Sequence, residues 1–186
     1  TSGLSYELII DQCSPTMAGL KTGSMFNCPV GDMKEFTYML RNFNKTCSGK
    51  GVRILPLKIS GGNALVYMYR PSKLRNDLSD KRAASLLKSR NYPTEKCEGC
   101  LLELIKRLRS GGDFPHEVGL FLGYPPEDVH GFIKSRAKHA KAVGTWKVYG
   151  DCSTAAKRFK QYEKCTKVYR ECFKNGSPFE KLIVRS

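Results

Sequence analysis

The sequence predicts an α+β fold, mostly helical, with a small antiparallel sheet built from one hairpin and one further strand. Two β-rich runs, residues 52–59 and 64–69, flank the turn composition Ser60-Gly61-Gly62-Asn63, which closes a hairpin. Most of the remaining chain repeats apolar residues at three- and four-residue spacing, the signature of amphipathic helices. With 186 residues, of which 40% are hydrophobic, the chain can bury an ordinary core without disulfide staples.

The elements follow in chain order. Ser14-Pro15 reads as a helix start, because serine caps free amides and proline tolerates the first helical turn, so Cys13 is expected just before a helix N-terminus. Asp32 and Glu35 form an acidic capping box, and Phe36, Met39, Leu40 and Phe43 continue that helix to about Cys47. Pro56 marks the first hairpin strand as an edge or a bulge. Residues 71–78 and 80–90 read as short helices, and residues 94–109 as a longer one with Leu101, Leu104, Ile105 and Leu108 inward, stopped by Gly111-Gly112. A helix is expected from Asp113 to Gly123, and another opens at Pro126-Glu127-Asp128 and carries Val129, Phe132 and Ile133. Residues 145–149 supply the further strand. Asp151 caps a long basic helix ending near Asn175, and Ser177-Pro-Phe-Glu180 caps a last short one. With no repeat, low-complexity tract or linker, residues 1–186 are expected to form one domain.

Charge is distributed unevenly. The chain carries a net +15, and residues 134–186 hold 14 Lys and Arg against 4 Asp and Glu. Such a face attracts an anionic ligand or nucleic acid through Coulomb steering and counterion release, or serves only as a solvated helix face. No window approaches the roughly 18 apolar residues of a membrane span, so no membrane partner is expected. The opening Thr1-Ser2-Gly3-Leu4 lacks the basic-then-apolar layout of a signal peptide, so a cytoplasmic protein is expected; the start without methionine suggests trimming, which leaves room for an already removed leader, or a tag remnant.

Eight cysteines in a chain of this size are expected to be free thiols, with Cys152, Cys165 and Cys172 as small core residues beside Phe159, Val168 and Tyr169. Cys13, at the positive end of a helix macrodipole, is the best candidate for a thiolate nucleophile or soft ligand. His116-Glu117 falls in a first helical turn, where an imidazole can act as base or ligand, but the second histidine of a zinc-protease helix is missing. Cys97-Glu-Gly-Cys100 has the spacing of a redox pair or half a metal clip. Neither a Gly-x-Gly-x-x-Gly turn nor a P-loop is present, which argues against kinase, GTPase and classical dinucleotide chemistry. Residues 114–137 have the outline of a helix-turn-helix, yet their apolar residues suit a core better than a DNA groove.

Three blocks carry a resemblance: Cys13-Ser-Pro-Thr-Met-Ala-Gly-Leu-Lys-Thr-Gly-Ser-Met-Phe26, Phe114-Pro-His-Glu-Val-Gly-Leu-Phe-Leu-Gly-Tyr-Pro-Pro-Glu-Asp-Val-His-Gly-Phe-Ile133 and Gly144-Thr-Trp-Lys-Val-Tyr149. Together they resemble the bacterial family called domain of unknown function 3793, found largely in anaerobes. Cys13, Pro15, Thr16, Gly19 and Lys21 match its first motif. His116, Glu117, Gly119, Gly123, Tyr124, Pro125, Glu127, Asp128 and Gly131 match its second, whereas Cys97 and Cys100 lie outside the pattern. The resemblance implies no activity or identified cofactor, and its gene company suggests an iron, haem or flavin accessory role. The leading expectation is a thiol-dependent redox or ligand-handling protein. Cys13 would be its thiolate or soft ligand, His116 the base or co-ligand, Glu117 or Asp128 an orienting carboxylate, and Lys21 an anion contact. The alternative is a nucleic-acid-binding module using the basic C-terminal face.

Overall fold

The computed structural model describes residues 3–186; Thr1 and Ser2, part of the stretch read for a leader, lie outside the described residues. The fold is α+β, with eight α-helices, a three-stranded antiparallel sheet and a separate two-stranded one among the described residues. No helix among them is long and apolar enough to cross a membrane. The described backbone divides into two compact units, residues 3–72 with 162–186, and residues 73–161.

The first unit contains α1 (Tyr6–Met17), β1 (Gly23–Pro29), α2 (Met33–Cys47), β2 (Arg53–Ser60) and β3 (Asn63–Tyr69). Its sheet runs in the order β1-β3-β2, both pairs antiparallel. The expected hairpin is β2–β3, with a register shift between Pro56 and Lys58. Pro56 therefore sits on an edge strand beside a bulge, the setting in which a missing N–H is tolerated. The third strand is a correction: β1 fills that place, and residues 145–149 do not join this sheet.

Helix α1 also departs from expectation, because it starts at Tyr6 rather than at Ser14. Ser5 is its cap, its Oγ accepting from the Leu8 amide at 3.1 Å, and Pro15 lies inside the helix near its end. Pro15 removes one ladder bond in the last turns, where few remain to be lost. Ile9, Ile10, Cys13 and Met17 form the buried face. Asp32 caps α2 as anticipated, accepting from the amides of Lys34 and Glu35. Phe36, Leu40, Phe43 and Cys47 then point into a core shared with Phe26, Val66 and Met68. The edge of β2 is held by Asn44, which donates to the Ile54 carbonyl at 2.7 Å and accepts its amide at 2.9 Å. Tyr6 closes the core edge-on against Phe43 and tilted against Phe179.

At the C-terminal end of α1 the last carbonyls lack helical partners. Arg70, at the end of β3 and only 1% exposed, fills that need. Its Nε donates to Thr16 O at 2.8 Å, and its Nη2 to Met17 O and Val184 O, both at 2.7 Å. One guanidinium thus joins helix, sheet and C-terminal segment, with the negative end of the helix dipole in place of a carboxylate.

The second unit is helical: α3 (Pro71–Leu78), α4 (Lys81–Ser89), α5 (Cys97–Arg109), α6 (Val118–Phe121) and α7 (Pro126–Lys134), with the small hairpin β4 (Ala142–Val143) and β5 (Lys147–Val148). The long helix α8 (Cys152–Lys174) begins in this unit and ends among residues of the first. Leu74, Leu87, Leu104, Phe121 and Val148 are fully buried. The helix expected from Asp113 to Gly123 shortens to the single turn α6, reached through a turn at Pro115–Val118 and left through Gly123 at φ 82°. In place of a short helix after Ser177, a 3-10 turn spans Phe179–Leu182.

Candidate functional site

The expected site residues fall into different settings. Cys13 and Lys21 belong to the first unit, and His116, Glu117 and Asp128 to the second.

Cys13 is a correction. It lies in the second half of α1, away from the positive end of the macrodipole, and is fully buried in the apolar core. Burial pushes its thiol far above the usual cysteine range, against a smaller opposing pull from the Lys21 ammonium. It is a protonated core thiol at neutral pH. Lys21 is the companion group: loss of water lowers its pKa to about 8, with Cys13 raising it back slightly. All eight cysteines are unpaired. Burial raises Cys28 and Cys100, and raises Cys47 and Cys97 to about 11, so neither half of the Cys97–Cys100 pair is activated. Cys172 packs on the core with Tyr169 and Phe173, whereas Val168, expected beside it, is 43% exposed. Among the described residues no group of three or more His, Cys, Asp or Glu is arranged to hold a metal ion.

Glu117 is 1% exposed and satisfied on both oxygens. Tyr92 Oη donates to Oε1 at 2.7 Å, Arg90 Nε to Oε2 at 2.9 Å, and Arg107 Nη1 approaches Oε1 at 3.4 Å. The Arg107 guanidinium also lies 4.1 Å over the Tyr92 ring. Burial, and then donation to this carboxylate, push the Tyr92 phenol well above its ordinary range. Glu117 therefore organises α4, α5 and the turn before α6. His116, one residue earlier, is exposed and lies against Phe132 at 5.1 Å and Phe114 at 6.0 Å.

Asp128 opens a different picture. Its Oδ1 accepts from the amides of Tyr149 and Gly150, both at 2.8 Å, and its Oδ2 from Trp146 Nε1 at 2.8 Å. This buried carboxylate pins the β4–β5 hairpin onto α7. Gly131 completes the fit, because a Cβ there would collide with the Tyr149 ring. The Trp146 ring is held between Tyr124 at 4.9 Å and the edge-on Phe159 at 4.7 Å.

Beside Asp128 lies an open cleft of about 510 Å³, within the roughly 300–1,000 Å³ typical of small-molecule sites. Its walls come from the end of α3, the start of α4, the Gly123–Asp128 motif, Trp146 and the first turns of α8. Asp77, Asp80, Glu127, Asp128 and Asp151 bring five carboxylates to it, against Arg82 and Arg158. Arg82 is held by Glu127 at 2.9 Å and lies 3.6 Å from Asp80. Asp80 is kept below the usual carboxylate range by the amides of Ala83 and Arg82, and Asp151 by the hydroxyl and then the amide of Thr154. No histidine or cysteine lines the cleft.

Sequence reading found Asp128 but not the cleft, since Asp77, Asp80, Trp146 and Asp151 meet it only through folding. The signals present were the helix-start aspartates and the single tryptophan of the chain.

No curated protein and no solved structure matches the chain significantly. The family model described as a protein of unknown function (DUF3793) matches residues 9–183, and the chain belongs to that family.

Proposed function

We propose that the chain is a binding protein whose cleft in the second unit receives a small organic cation, a primary amine or a guanidinium. The observation that carries this reading is five carboxylates gathered beside the Tyr124 and Trp146 rings in one cavity of a strongly basic chain. Carboxylates supply charge-assisted acceptors, and the Tyr124 and Trp146 rings supply an apolar wall for the methylenes of such a ligand. The positive field of the rest of the molecule weakens over a Debye length of about 8 Å at physiological salt, so local charge governs the cleft. Glu127 already binds a guanidinium, that of Arg82 at 2.9 Å, which a ligand would displace. Asp128 is committed to the hairpin and acts as scaffold.

The test is calorimetric titration with agmatine, which carries both candidate groups, against the wild type and the Asp77→Asn/Glu127→Gln variant. Saturable binding by the wild type, weakened about tenfold or more in the variant, is expected for two lost charge-assisted contacts. No binding of agmatine, spermidine or arginine amide, or equal binding by the variant, overturns the proposal.

A further inference from the structure

Helix α8 carries a second feature that the cleft does not use. Among its buried and half-buried residues, Ala155, Phe159, Tyr162, Thr166, Tyr169 and Phe173 repeat at spacings of four and three and form one face, flanked by Cys152, Cys165 and Cys172. Lys157, Lys160, Lys164, Lys167 and Lys174 follow at three-, four- and seven-residue spacings, which places them about 100° to 200° around the helix from that face. All five are exposed, and Glu171 is the only acid in the row. At 1.5 Å per residue the ridge is about 26 Å long.

A face that only kept the helix soluble would gain from alternating Glu and Lys at four-residue spacing. Here Lys157, Lys160, Lys164 and Lys167 are successive neighbours of like charge, each pair costing the isolated helix roughly 0.2–0.5 kcal/mol, offset only in part by Glu163, three residues after Lys160 and four before Lys167, and by Glu171. A polyanion laid along the ridge turns that repulsion into attraction. We infer that the lysine ridge of α8 is a docking surface for the phosphate backbone of B-form DNA.

The geometry favours duplex DNA over other nucleic acids. Unpaired strands are bound by stacking bases on aromatic rings, and every aromatic residue of α8 is buried or half-buried. The deep major groove of A-form RNA is too narrow for a helix, whereas a helix about 10–12 Å across matches the B-form major groove, about 12 Å wide. Lysine ammoniums neutralise phosphates as point charges and do not make the bidentate base contacts of arginine. Binding is therefore independent of sequence.

The experiment is fluorescence anisotropy of the full chain with a labelled DNA duplex about two helical turns long, of arbitrary sequence. Four or five phosphate contacts weaken binding about 10²- to 10³-fold between about 50 and 200 mM salt. The Lys157→Glu/Lys160→Glu/Lys164→Glu/Lys167→Glu variant is expected to lose about 100-fold or more in affinity at low salt. The control Lys34→Glu/Arg41→Glu/Lys45→Glu/Lys88→Glu makes the same change in net charge on exposed residues elsewhere and is expected to stay within about threefold. A glutamine version of the ridge variant, with an unchanged circular dichroism spectrum, is expected to flatten the salt dependence. Equal loss in variant and control, no binding by the wild type, or equal binding of an RNA duplex or a single strand overturns the proposal.

Discussion

The two units bury charge in opposite ways. In the first, the cation Arg70 is surrounded by three backbone carbonyls. In the second, the anions Glu117 and Asp128 each receive three donors. In both, a fully satisfied buried charge fastens elements together and has little capacity left for a ligand. Carboxylates are gathered in greater number in the cleft beside Asp128, where Glu127 pairs with Arg82 and Asp80 and Asp151 cap helix starts. The contrast separates fastening charges from binding charges, and each side of it can be broken experimentally.

The largest effect is expected at Arg70. Removing it breaks three charge-assisted bonds, although Thr16 O keeps the Gly19 amide and Met17 O the Val184 amide, so Arg70→Ala should cost about 3–5 kcal/mol, read as a fall in the urea midpoint. Arg70→Lys should recover only part, because an ammonium lacks the rigid fork that spans the three acceptors. Asp128→Ala comes next, at about 3 kcal/mol, since it strands the Trp146 indole and two amides. Its tryptophan emission should shift to the red as the hairpin loosens. Asp128→Asn retains the two backbone bonds and should cost less.

Cys13 offers a sharper contrast with the half-buried cysteines. A thiol raised far above 9 remains protonated as pH rises from 7 to about 9, so its native-state alkylation should stay slow across that window. Cys152, Cys165 and Cys172, each half-buried, should be labelled first under mass-spectrometric mapping. Labelling of Cys13 ahead of them would restore the thiolate reading. The smallest effect is a gain. Tyr149 Oη is the buried side-chain polar atom left without a partner among the described residues, and Tyr149→Phe should stabilise by about 1 kcal/mol.

These residues also show what was legible in the sequence. The β2–β3 hairpin was readable because Gly61-Gly62 sits between runs of β-formers, and α2 because Asp32 and Glu35 stand at its start. Local signals of this kind fail when one residue type serves two positions. Pro15 suits a first helical turn, yet here it is carried near the end of a helix already capped by Ser5. That reversal removed the dipole argument for Cys13. Strand β1 was missed because its partner β3 lies some forty residues on and Asn27 and Pro29 weaken its local pattern. Arg70 and the cleft were beyond reach for the same reason: the partners of Arg70 are 53, 54 and 114 residues away, and the cleft walls are assembled from segments with no common motif.

The most direct test of a cation-binding cleft uses Trp146, the only tryptophan and part of the cleft wall. Its fluorescence should change saturably on titration with agmatine or spermidine and remain unchanged with phosphate or acetate at matched ionic strength. A flat response to the cations, or an equal response to the anions, would contradict the assignment.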